Sequence, residues 1–293
     1  MRRLCVTVIL LLGVVFSVPA HASERSTKIS VLDFGSTYLG KLLAQHLRSR
    51  FHSNPGIQLI DADLSASAAR GAGYTGSLNM SITEARDLGA AMDAEFYVIG
   101  DAQTLRRSSS TKPIYYESYS SVFLISSRSG RLISWQRPSA DADEANTAEN
   151  KLIKSQSDEL VERLLAAIKK ALVEESNERA IPTSSAPLIE EAPEDDKTAD
   201  AAGLRLPRPY RRLRPAYPDN AARAEAEATV DVLVDVDADG EVSQVQIARW
   251  AGFGLDETTV ATVHQLHFFP ALRNGTPIPM RVLLRYNFRK TSQ

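Results

Sequence analysis

Asp235, Asp237 and Asp239 stand at alternate positions ahead of Gly240, the spacing that opens an EF-hand calcium loop. The bidentate carboxylate due at the far end of such a loop is Gln246 here, and both flanks alternate apolar with polar residues as strands do. The run therefore reads as a hairpin turn, where Asp and Gly suit the backbone. Gly71-Ala72-Gly73-Tyr74-Thr75-Gly76 spells the dinucleotide fingerprint, whose mechanism requires a strand leading directly into a helix. It lies in a stretch of small residues, Ser65–Gly76, and reads as a loop. His264 and His267 sit three apart on an expected helix, but a metal would want a third ligand and Phe268-Phe269 follow at once. A structural role suits them better. There is no Gly-x-Ser-x-Gly elbow, and the one cysteine, Cys5, precedes an apolar run. No catalytic residue, metal, cofactor or small-molecule substrate is expected; the chain reads as a binding protein, not an enzyme.

Composition sets the outer limits. At 293 residues the chain has length for about two domains. Hydrophobic residues make up 43% and charged residues 24%, which excludes wholesale disorder. A formal net charge of −2 leaves no global footprint for nucleic acid, and a single cysteine excludes a disulfide framework. At the start, Arg2 and Arg3 precede the apolar run Val6–Phe16, and Ala20-His21-Ala22 has the form of a cleavage site. Residues 1–22 read as a secretory signal peptide. The run falls short of the roughly 20 apolar residues of a membrane span. Export to the periplasm is expected, with an uncleaved inner-membrane anchor as the alternative.

Residues 28–173 read as an α/β domain with a mixed sheet. Strands are expected at Ile29–Phe34, Ile57–Asp61 and Glu95–Asp101, then a β pair at Ile114–Ser126 and Arg131–Gln136. Helices are expected over Ser36–Phe51, over Ile82–Met92 with Ser81 or Thr83 as cap, and over about Ala148–Val173. Strands alternating with helices and ending in a hairpin indicate one core. Residues 174–207 form an acidic, proline-containing linker, poor in large apolar residues and expected to be disordered. Leu204–Arg223 is basic instead, and the two stretches are expected to collapse onto each other.

Residues 208–291 read as a small β-β-α-β domain. Thr229–Asp237 and Glu241–Ala248 make a hairpin, Leu255–His267 a helix stopped by Pro270, and Ile278–Arg289 a last long strand. With these elements placed, the segment from Arg214 to Arg289 resembles the TonB C-terminal domain family. The resemblance is carried by Pro215-Ala216-Tyr217-Pro218, Val230–Gly240, Val242–Ile247, Leu255-Asp256, Phe268-Phe269-Pro270-Ala271 and Asn274-Gly275-Thr276-Pro277. It implies a periplasmic domain that grips a short extended segment of an outer-membrane receptor, or of another envelope protein, by strand addition. The residues it implies for partner binding are Arg214, Tyr217 and Pro218, with the edge strand Met280, Arg281, Val282, Leu283, Leu284, Arg285, Tyr286, Asn287 and Phe288. Arg281, Arg285 and Arg289 share one face of that strand, either to meet a partner or to keep the edge soluble. Where many transducers of the family carry Gln, this chain has Arg214.

The family's energy transducers add an N-terminal membrane anchor that engages inner-membrane motor proteins, which is the alternative if residues 6–22 stay uncleaved. Ile29–Phe34, the following helix and Leu88–Gly100 also resemble the α/β domain of CsgG-type secretion proteins, the TolB N-terminal domain and penicillin-binding-protein activators. That resemblance implies docking without catalysis. The expected molecule is an exported adapter, serving outer-membrane transport or envelope assembly.

Overall fold

The computed structural model describes residues 26–180, 189–193, 199 and 203–290, without the side chains of 155–157. The expected signal peptide lies outside the described residues. Among the described residues, no helix is long and apolar enough to cross a membrane.

The first part of the chain runs β1 (Thr27–Val31), α1 (Tyr38–His52), β2 (Ile57–Leu59), α2 (Ala62–Gly71), β3 (Met80–Ser81), α3 (Ile82–Ala91), β4 (Phe96–Arg107), β5 (Tyr115–Ser126), β6 (Leu132–Gln136), β7 (Ser139–Ala142) and α4 (Ala145–Ala180). The second part runs β8 (Glu190–Glu191), β9 (Leu204–Arg205), β10 (Arg208–Pro209), α5 (Asp219–Ala224), β11 (Ala228–Val236), β12 (Val242–Trp250), α6 (Leu255–Val263), β13 (Phe268–Phe269), β14 (Ala271–Arg273), β15 (Thr276–Ile278) and β16 (Met280–Phe288). The molecule is a mixed α and β protein with a β-rich C-terminal part.

Local chemistry accounts for several boundaries. Thr37 caps α1 by accepting from the Gly40 amide, and Ser81 with Glu84 forms a capping box on α3. Three expectations need correction. The small-residue loop at Ser65–Gly76 is instead mostly helix: Asp61 accepts from the amides of Asp63 and Leu64, and the alanine-rich segment then propagates as α2. The long helix outruns Val173 to Ala180, because the buried Glu175 bonds the Ser126 hydroxyl and Arg128 at the β5–β6 turn. The helix expected to reach His267 stops at Val263, since the Phe268 amide donates to the Gly240 carbonyl at 2.8 Å and draws the chain into a strand. Gly240 has φ +87°, and a Cβ there would stand 1.9 Å from that segment's Phe268 carbonyl oxygen. The basic stretch pairs with short strands, β9 with β14 and β10 with β13.

The first sheet has the order β2-β1-β4-β5-β6, with β7 continuing along β5 past β6. The first half of its central strand β4, Phe96–Gly100, is buried on both faces, which is why it reads as an apolar run. One face, carrying Phe96, Val98, Val122 and Leu124, packs on α1 and α4 through Leu47, Phe51, Leu164 and Ile168. The opposite face carries Tyr97, Ile99, Phe123 and Ile125, and it packs on α3 and on the C-terminal unit.

That second contact joins the two parts through one core. Trp250, 1% exposed, stacks on Phe123 at 5.9 Å between ring centroids, and its indole nitrogen donates to the Gly130 carbonyl at 3.0 Å. Phe253 closes the cluster against Phe123 and Trp135 at 5.5 and 5.1 Å. The backbone is joined as well. The second sheet has the order β3-β12-β11-β16-β8, so a strand from the first part pairs with the end of β12 at Arg249 and Trp250.

Candidate functional site

The strand that the sequence marks as a partner edge, β16, lies antiparallel to β11 from Ala228↔Phe288 to Val236↔Met280. Alternation divides its side chains. Met280, Val282, Leu284, Tyr286 and Phe288 turn toward the core and are buried or half-buried. Arg281, Leu283, Arg285 and Asn287 occupy the other face.

The two arginines on that face are held within the sheet. Arg281 grips Asp235 with Nε and Nη2 at 2.6 and 2.8 Å, and Arg285 grips Asp231 at 2.7 and 3.0 Å. These are directly opposed cross-strand pairs. The fork geometry lets Asp235 and Asp231 sit 2% and 5% exposed in the sheet. Asn287 accepts from the Thr229 hydroxyl at 2.8 Å. Leu283 is left 54% exposed between the arginines. Arg289 is exposed.

The backbone of β16 offers the clearest binding feature. The Ala192 amide donates to the Arg281 carbonyl at 2.8 Å, so the polar backbone groups of Arg281 face away from β11. By the alternation of an antiparallel ladder, those of Leu283, Arg285 and Asn287 face the same way. β8 covers only the first of them, pairing in parallel register as Met280↔Glu190 and Arg281↔Glu191. Among the described residues, nothing pairs with the outer edge of β16 beyond Arg281.

The remaining sequence-derived residues frame this strand. The Tyr217 hydroxyl donates to the Ala226 carbonyl at 2.7 Å, and its ring lies 6.4 Å from that of Phe288. Tyr217 thus ties the segment entering the sheet to the far end of β16. Pro218 is the N-cap residue of α5, and Arg214 is exposed. The His267 imidazole pairs with Glu241 at 2.9 Å across an isolated bridge. Asp237 accepts from the amides of Asp239 and Glu241 at 2.9 Å each, which builds the hairpin turn expected there. Among the described residues, no group of three His, Cys, Asp or Glu is placed to hold a metal.

Three features escaped the sequence reading. Asn79 donates to the carbonyls of Thr229 and Trp250 at 2.8 and 2.7 Å and accepts from the Thr229 amide at 3.0 Å, across 150 and 171 residues of sequence. No local signal marks it. Asp231 and Asp235 share the spacing of Arg285 and Arg281, and that matched spacing was legible. Asp256 was seen only as part of a helix-opening motif. Its carboxylate accepts from the Ala251 and Gly252 amides at 2.9 and 2.8 Å, beside a cleft of about 1020 Å³ between β6 and β12.

Burial pushes Asp256 up to about 6, against the two amides that favour its charged form. A carboxyl raised in the folded state contributes stability that is full below its unfolded value and is lost as pH rises through about 6. Lowering the pH from 7 to 5 should therefore stabilise the wild-type chain relative to Asp256→Asn by on the order of 1 kcal/mol. Urea unfolding of both proteins at the two pH values measures that difference directly.

No curated protein matches the chain. Among solved structures, it is similar to the Pseudomonas aeruginosa TonB C-terminal domain at 20% identity, covering 30% of this chain and 89% of that one with a TM-score of 0.26. It is also similar to a hypothetical protein from Chlamydia trachomatis (14% identity, 49% and 96% covered, TM-score 0.33) and to the LpoB C-terminal domain from Salmonella enterica (12% identity, 40% and 83% covered, TM-score 0.28). The segment holding β11, β12, α6 and β16, residues 214–289, matches the family described as Gram-negative bacterial TonB protein C-terminal.

Proposed function

We propose that this protein is a non-catalytic adapter of the bacterial envelope, exported to the periplasm, that captures an extended segment of a partner protein on the outer edge of β16. The observation that carries this reading is the row of outward backbone groups at Leu283, Arg285 and Asn287, unpaired among the described residues, within the segment that matches the TonB family. Main-chain hydrogen bonds along such an edge give affinity, and side chains beside it give choice. The partner class proposed from the family is the N-terminal segment of an outer-membrane receptor, in transport or envelope assembly. The Arg281–Asp235 and Arg285–Asp231 pairs keep β16 flat against β11, and Tyr217 fixes its far end, so the edge is held ready before a partner arrives.

The test uses proline. Leu283→Pro removes an outward donor and leaves the ladder to β11 intact, since proline is tolerated on an edge strand where its nitrogen faces away from the ladder. Val282→Pro, by contrast, removes a donor that faces β11 and should weaken the sheet itself. Against an array of synthetic N-terminal segments from the receptors of the same cell, Leu283→Pro should lose tenfold or more in binding at unchanged melting temperature. Undiminished binding by a folded Leu283→Pro protein would sink the strand-addition reading.

A further inference from the structure

We infer that the β16 edge takes an acidic extended segment running parallel to the strand, and that the chain's own Glu190–Ala192 is its resident occupant, which a partner must displace. This rests on the strand-addition reading above and names the partner chemistry of the same edge. β8 is a short added strand: Met280↔Glu190 and Arg281↔Glu191 are in parallel register, and the Ala192 amide completes the pairing on the Arg281 carbonyl.

Side chains on both faces support it. The Glu190 carboxylate binds the Arg273 guanidinium, Glu191 adds its field to that of Asp235 at Arg281, and Ala192 packs against the small cluster that holds Met280, Ala271 and Leu204. The edge therefore selects two consecutive acidic residues followed by a small one. Farther along, Arg289 is exposed and Leu283 is more than half exposed, so a longer acidic strand with an apolar residue would cover what two residues leave open. The occupant is part of the same chain as the edge, between α4 and β9, and so competes as an intramolecular ligand, although it holds only the first outward position. A partner that pairs along the whole strand outnumbers its contacts.

The experiment uses the full exported chain and a fluorescein-labelled peptide of its own residues 187–194, with a second peptide in which both central glutamates are glutamine. Binding is compared for wild type and Glu190→Lys/Glu191→Lys by fluorescence anisotropy. The acidic peptide should bind the double variant at least tenfold more tightly than wild type, and the glutamine peptide should bind the variant several-fold more weakly than the acidic one. A milder Glu190→Gln/Glu191→Gln chain should fall between, and matching melting curves confirm that each variant is folded. Equal affinity for wild type and both variants, or no binding to any of them, would overturn the proposal. N-methylation of the acidic peptide at Ala192, which removes the amide that donates to the Arg281 carbonyl, separates the two readings when tested on the double variant. If it abolishes peptide binding while wild type and double variant bind alike, the edge stands and the resident occupant is rejected. If it leaves tight binding unchanged, strand addition itself fails.

Discussion

Trp250→Ala should destabilise the protein by about 3–5 kcal/mol, the largest effect expected of any single side chain here. Trp250 is among the largest fully buried side chains, and it does three things at once. Its ring fills the space over Phe123, its indole nitrogen satisfies the Gly130 carbonyl, and its backbone continues the pairing between β12 and β3. Truncation leaves a cavity at the boundary of two sheets and an orphaned carbonyl beside it. Collapse cannot easily fill that cavity, because Gly252 already brings the backbone so close to Phe123 that a Cβ there would meet the ring at 2.5 Å. Chemical denaturation should show a lower midpoint. It should also show a second transition, as the two parts cease to unfold together. A single transition with an unchanged midpoint would mean that the shared core contributes little.

Asn79→Ala should cost about 2 kcal/mol although it removes only a small polar side chain, since a backbone group left unpaired costs about 1–3 kcal/mol when buried and these are partly buried. Its amide serves the Thr229 amide and carbonyl and the Trp250 carbonyl together, so three main-chain groups lose their partner. Asn79→Asp should be no better: a carboxylate can still accept from Thr229, but it faces two carbonyls without a donor. Asn79 holds the main-chain carbonyl of residue 250, and removal of the indole loosens that backbone, so the double variant should lose less than the sum of the singles. Equilibrium unfolding of the four proteins in that cycle gives the coupling. Strict additivity would show that the two contacts act independently.

How much of this was legible beforehand follows from which interactions are local. The hairpin at β11 and β12, the helix after it and the long last strand each announce themselves within about ten residues by alternation, turn chemistry or helical spacing. The same holds for α1, α3 and the pairing of β5 with β6. The alanine-rich α2 was hidden because it buries only Ser65 and Ala69 and so carries almost no apolar stripe. β8 was hidden for a related reason: two glutamates have no periodicity and little β propensity, and they are a strand only because an edge with Arg273 and Arg281 lies beside them. For the candidate site, the strand and its two faces were readable, but the roles of the arginines were not. Arg281 and Arg285 looked free for a partner until Asp235 and Asp231 were found opposite them.

By itself, then, the sequence determined the kind of most of the longer elements and the order of those in the C-terminal unit, while the edge role of the last strand came from the family resemblance. It determined these because side-chain alternation and backbone turns are properties of a short stretch of chain. Only the tertiary structure decided that the second face of the first sheet is covered by Trp250 and Phe253, that Asn79 laces the two parts together, and that backbone groups at Leu283 rather than Val282 face outward. Periodicity shows that a strand has two faces and two edges. Which of them meets a neighbour depends on residues far away in the chain, brought into contact by burial of a common core.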